Sequence, residues 1–225
     1  MFPLFDPTFV MLLPAFALAL WAQHRVKSAY RKYSEVASRG GNTGAQAAWD
    51  LLRRHGIDDV AVESTEGELS DNYDPRSKTL HLSQNIYSQP SIAALAIAAH
   101  EVGHAMQDSS GYTPLRWRAN LVPVANFGSM GAFPLFIIGL FLNTPFLMDI
   151  GIGLYMAALA FYLVTLPVEF DASRRAMVAL SNGGNLAKDE IVGAKKVLNA
   201  AALTYVASAA MAVSQLFRML ILRDD

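Results

Sequence analysis

Residues 121–168 read LVPVANFGSMGAFPLFIIGLFLNTPFLMDIGIGLYMAALAFYLVTLPV, with no basic side chain and Asp149 as the one acid. Two apolar runs, 121–142 and 146–168, flank Asn143-Thr144-Pro145. A helix rises about 1.5 Å per residue, so roughly 20 residues cross the hydrocarbon core of a bilayer. Both runs reach that length, and Asn-Thr-Pro between them is turn chemistry. The expected element is a transmembrane hairpin. A buried soluble helical pair is the alternative, but soluble core helices are rarely this long and apolar twice in succession.

The rest of the composition fits that solvent. The chain has 225 residues, of which 53% are hydrophobic and 16% charged, against about a quarter charged in soluble domains. Much of the chain therefore need not face water. A net charge of −1 advertises no basic surface, so nucleic acid is not an expected partner. With no cysteine, a disulfide framework, a Cys-type zinc site and a thiol nucleophile are all excluded.

Two further apolar runs lie near the ends. Residues 8–22 (TFVMLLPAFALALWA) are followed by Arg25, Lys27, Arg31 and Lys32. A cleaved signal peptide carries its positive charge before the apolar run, so this one reads as an anchor whose N-terminus lies outside. Residues 199–222 (NAAALTYVASAAMAVSQLFRMLIL) are rich in the Ala and Ser that let membrane helices pack closely. Four spans put residues 23–120 and 169–196 on one side, the second segment with Arg174, Arg175, Lys188, Lys195 and Lys196. Under the positive-inside rule that side is the cytoplasm. The expected organisation is an anchor over 1–22, a water-soluble region over 23–120, the hairpin over 121–168, a cytoplasmic helix and linker over 169–196, and a last span over 197–225.

The soluble region has ordinary texture. Thr43 can cap a helix over 45–54, which Gly56 stops. Val60–Glu63 and Lys78–Ser83 read as strands of a short antiparallel sheet, with a turn cluster at Asp71–Arg76 between them. Ser91 can cap a helix reaching about Asp108, and that helix contains AIAAHEVGHAMQD (96–108).

His100 and His104 stand four apart, one above the other on a helix face, and can present two imidazoles to one ion. Glu101 lies about 100° round, badly placed as a ligand but within reach of a water at that ion. Zinc suits such a set, because it accepts imidazole and carboxylate and keeps a position open for water. Such a water has its pKa lowered, and a carboxylate can take its proton. The plainer reading is two histidines on a solvated helix face. A third ligand is required on the same side of the membrane. Asp108 cannot easily fold back from its own helix, and Asp149 belongs to the far end of the hairpin. Glu169 and Asp171, in LPVEFDASRRA, return to the motif's side; alternatively they pair with Arg174 and Arg175.

Together, AAHEVGHAMQ and LPVEFDASRRA resemble the YugP-type neutral zinc metallopeptidases of bacteria. The resemblance covers nearly the whole chain, including SDNYDPRSKTLHLS and GAKKVLNAAALTYVASA. More distantly the layout is similar to the HtpX and CAAX prenyl protease group of membrane zincins. The resemblance implies a mostly α membrane protein of about four transmembrane helices with a small α+β zincin-like cytoplasmic domain. It also implies Zn2+ as cofactor, His100, His104 and Glu169 as its ligands, and Glu101 as general base. The HtpX-like group has Glu, two residues, Ala and then Asp, where the Asp supports a ligand histidine. Here the corresponding positions are Glu169, Ala172 and Ser173, so Asp171 becomes the nearest candidate for that support or for ligation.

The expected activity is peptide-bond hydrolysis at a multi-pass cell membrane, with a peptide or membrane-protein substrate and the lipid bilayer as partners. Zincins commonly lay an extended substrate along an edge strand, and Leu80–Ser83 is the candidate, with His81 as strand surface. Arg174 and Tyr205 are candidates for stabilising an oxyanion. Two other readings differ in class. A site-2-type intramembrane metalloprotease would carry the motif inside a span, yet residues 92–99 supply too few apolar positions before His100. A non-catalytic scaffold would close the zinc with a fourth protein ligand.

Overall fold

Long helices dominate the chain because the apolar runs carry few interrupting charges. The computed structural model describes residues 7–67 and 70–224. Residues 1–6 of the expected anchor and Asp225 of the expected last segment lie outside the described residues.

A 3-10 turn over Pro7–Leu12 leads into α1 (Leu13–Ser34). Helix α2 (Gly44–Arg54) begins where Thr43 Oγ1 accepts from the Gln46 backbone N–H, while the Gln46 side chain accepts from the Thr43 N–H. This reciprocal cap satisfies two N–H groups that have no partner inside the helix. Strands β1 (Ala61–Thr65), β2 (Asn72–Asp74) and β3 (Thr79–Ser83) follow, then the short α3 (Gln84–Ser88). Helix α4 (Ile92–Ser109) carries the histidine motif and is capped by Ser91, whose hydroxyl accepts from the Ala94 N–H at 3.1 Å. Helices α5 (Thr113–Phe141), α6 (Pro145–Asn182) and α7 (Lys188–Asp224) complete the chain.

The sheet is mixed, not antiparallel. Its order is β1-β3-β2, with β2 antiparallel and β1 parallel to β3. The turn cluster expected at Asp71–Arg76 itself contains strand β2. Lys78, in the left-handed region at φ 53°, closes the tight return into β3. That hairpin occupies one edge of β3, and β1 pairs along the other edge, parallel to β3 and joined to it by the longer connection that parallel strands need. Strand β3 is therefore central, and the expectation that Leu80–Ser83 offers a free edge is corrected: both of its edges are paired.

The chain divides into two units. The apolar unit comprises residues up to 23, 114–167 and 203 onward. Within it, α5 and α6 approach at glycines. A Cβ at Gly139 would lie 2.7 Å from the Met148 nitrogen, and one at Gly151 2.7 Å from the Ala132 carbonyl oxygen. Such small-residue contacts are what bring helices together where lipid removes the hydrophobic drive for association. Phe127, Met130, Phe141 and Phe146 point outward and are exposed. Asp149 pairs with Arg223 at 2.9 Å. Among the described residues, four helical stretches are long and apolar enough to cross a membrane: Pro7–Ser34, Thr113–Phe141, Pro145–Asn182 and Lys188–Asp224. Helix α4 is not one of them.

The motif unit comprises residues 24–113 and 168–202. Helix α4 forms its centre. Ala93, Ala94, Leu95, Ala96, Ala98, Ala99 and Val102 are all buried, as expected of a helix whose first two turns are apolar on every side. Leu51 from α2, Leu80 and Leu82 from β3, Leu180 from α6 and Leu198 from α7 close around it. Two links tie the sheet to the end of α4: the Tyr73 hydroxyl donates to Asp108 at 2.8 Å, and the Lys78 ammonium at 2.6 Å.

Candidate metal centre

The site is built from one face of α4 and the stretch of α6 that begins at Val168. The two helices can approach because position 103 is glycine: a Cβ there would collide with the Ala172 carbonyl oxygen. Gly103 therefore serves the close approach of the two backbones.

Helical spacing stacks His100 above His104, with ring centroids 4.8 Å apart and planes at 82°. Both turn Nε2 toward one carboxylate. Glu169 Oε2 lies 3.1 Å from His100 Nε2 and 3.6 Å from His104 Nε2. Glu169 is 2% exposed. One candidate ligand atom from each of the three residues falls within 4.8 Å of the others. Of the two acids in LPVEFDASRRA, the structure brings Glu169 to the histidines and gives Asp171 other partners. Asp171 pairs with Arg174 and, at 2.6 Å, with Arg175. The two alternatives open in the sequence thus divide between the two acids.

Glu101 follows His100 and is buried at 8% exposure. Burial is the main force pushing its carboxyl up to about 7; His100 opposes the rise, the Glu169 and Asp71 carboxylates add to it, and a hydrogen bond from the Tyr73 backbone N–H opposes it. Asp71 is itself occupied, accepting from the Ser83 N–H at 2.7 Å and the Ser83 hydroxyl at 3.0 Å. The SDNYDPRSKTLHLS stretch therefore holds the sheet together and presents β2 to Glu101.

The Nδ1 atoms have separate partners. His100 Nδ1 lies 3.1 Å from Ser173 Oγ, and His104 Nδ1 lies 3.0 Å from Gln107 Oε1. The sequence reading overlooked both residues as contributors. Next to His100 it is thus a hydroxyl, that of Ser173, that meets the ring nitrogen turned away from Glu169. Asp171 Oδ2 accepts from the Gln107 amide at 3.1 Å. Gln107 was detectable in principle, since a residue three past His104 shares its helix face. Arg174 is held by Asp171, and Tyr205 belongs to the apolar unit.

The donor chemistry fits a zinc ion. Two imidazole nitrogens and one carboxylate carry a single negative charge, are the atom types zinc accepts, and leave one of four positions open. Asp171 does not join the cluster of possible ligands.

A helical His-Glu-x-x-His motif joined by a carboxylate from a second helix is the arrangement expected of metallopeptidases. The sequence matches the family described as "Putative neutral zinc metallopeptidase" over residues 8–224, and the chain belongs to that family. The "Putative membrane protease YugP" of Bacillus subtilis (strain 168) is 43% identical over 212 residues, covering 94% of this chain and 94% of that protein. No solved structure matches.

Proposed function

We propose that this protein is a multi-pass membrane zinc endopeptidase, with His100, His104 and Glu169 as metal ligands and Glu101 as general base. The observation that carries this reading is the meeting of two imidazoles and a buried carboxylate from α6 beside the buried Glu101. Family membership and the name of the Bacillus subtilis relative support it independently.

Zinc, when bound, supplies a Lewis acid that polarises a carbonyl and makes water more acidic. The chain's own residues do the rest. His100 and His104 present ring nitrogens, and Glu169 supplies charge from within the protein. Glu101 takes a proton from the attacking water and returns it to the departing amine. Strand β2 is the sheet edge that borders Glu101, so an extended substrate segment is proposed to pair along β2. The substrate class is a peptide or a membrane-proximal segment of a membrane protein. The motif unit is proposed to face the cytoplasm. Arg25, Lys27, Arg31 and Lys32 in one of its segments, and Arg174, Arg175, Lys188, Lys195 and Lys196 in the other, support that side.

Elemental analysis of detergent-purified protein, washed at neutral pH, tests the ligand set. Wild type and Asp171→Ala are expected to retain zinc, and Glu169→Ala to lose it. Zinc lost from Asp171→Ala but kept by Glu169→Ala would move the third ligand. Absence of zinc from folded wild type would end the peptidase reading.

A further inference from the structure

Gln107 is fully buried, at 0% exposure, and its amide meets three polar atoms. Its oxygen lies 3.0 Å from His104 Nδ1. Its nitrogen lies 2.7 Å from the Val168 carbonyl oxygen and 3.1 Å from Asp171 Oδ2. A carbonyl and a carboxylate paired with guanidinium groups can only accept, so the two amide hydrogens must face them. Flipping the amide would set its oxygen against two acceptors in a buried space, where polar groups are almost always satisfied. The amide oxygen is thus left facing His104, and an oxygen there requires a hydrogen on Nδ1. Nδ1 thus carries a hydrogen, and Nε2, 3.6 Å from Glu169 Oε2, is the nitrogen left on the side of that carboxylate and of the metal point. The neighbouring ring is held differently. His100 Nδ1 meets the hydroxyl of Ser173, which can donate or accept and so selects no tautomer.

We propose that Gln107 is a positioning residue that locks His104 in the Nδ1–H tautomer, presenting Nε2 for zinc before the metal arrives, and that Asp171 and the Val168 carbonyl act on the site through it. This rests on the zinc reading above.

The test is histidine-selective 15N NMR of the full-length, zinc-free protein in detergent, assigned by replacing each histidine in turn, at about pH 8 where ordinary imidazole is neutral. Wild type is expected to show His104 as Nδ1–H. Gln107→Met is expected to shift it toward Nε2–H and, in titration against a competing chelator, to weaken zinc binding about 10–100-fold. A general loss of packing would not invert one tautomer. His104 carrying its proton on Nε2 in wild type overturns the proposal, whether or not Gln107→Met folds. So does a folded Gln107→Met with unchanged tautomer and zinc affinity. A wild type that shows the expected tautomer but takes up no zinc overturns the proposed function and the metal-presenting role with it, and is distinguished from the other outcomes by the titration.

Discussion

At the scale of single residues, the proposed roles separate holding from reacting. His100, His104 and Glu169 converge on a common point, whereas Glu101 sits beside them and is anchored by the backbone of β2. Replacing Glu101 with glutamine keeps its shape and removes its ability to take a proton. Glu101→Gln is therefore expected to lower turnover by at least about 100-fold, the usual scale for a positioned acid or base, while zinc content stays at the wild-type level. Peptidase assay and elemental analysis on the same preparation check both halves. Retained activity would remove Glu101 from the base role, and lost zinc would make it a ligand.

At the scale of elements, two contacts help to hold the ends and face of α4 within its core. Gly103 lets α4 touch the backbone of α6 at Ala172. Gly103→Ala must drive those backbones apart, and overpacking of this kind costs about 1–3 kcal/mol. A lowered melting temperature and weakened zinc binding are expected together, because the same contact brings Glu169 to the histidines; a shift in neither would show that the helices can yield. The other contact is the Asp108 cluster. Hydrogen bonding to Asp108 raises the Lys78 ammonium above its ordinary value, while burial and then Asp108 raise the Tyr73 phenol well above the usual tyrosine range. Both groups bind their proton more tightly folded than unfolded. Their stabilisation is thus complete below about pH 10 and is lost as pH rises through the folded values. Melting temperature is expected to fall steeply above about pH 10 in wild type and less steeply in Asp108→Asn. Parallel curves for the two proteins would mean that the cluster does not link sheet and helix.

At the scale of the whole molecule, the orientation of the motif unit decides which pool of substrates it meets. The chain has no cysteine, so single cysteines can report sidedness without background. Asn143, in the turn between α5 and α6, belongs to the expected outer side, and Ser64 on β1 to the inner side. In intact cells an impermeant thiol reagent is expected to label Asn143→Cys directly and Ser64→Cys only after permeabilisation. The reverse pattern would place the site outside.

What the sequence determined by itself was local. The long apolar helices, the capped starts of α2 and α4, and the stacking of His100 on His104 depend on neighbours within a few residues, through helical periodicity and backbone hydrogen bonding. The tertiary structure decided what depends on distant segments. Glu169 and Asp171 are carboxylates two residues apart on one helix, and the rotation of α6 against α4, set by the approach at Gly103, assigns one to the histidines and the other to Gln107. The three-residue β2 is too short to show a period of its own and exists because β3 lies beside it. The edge of β3 left for β1 followed from the one that hairpin had already taken. Ser173 and Gln107 are ordinary polar residues on paper. Their roles arise where packing buries them next to an imidazole, because a buried polar atom must find a partner and those histidines are the partners within reach.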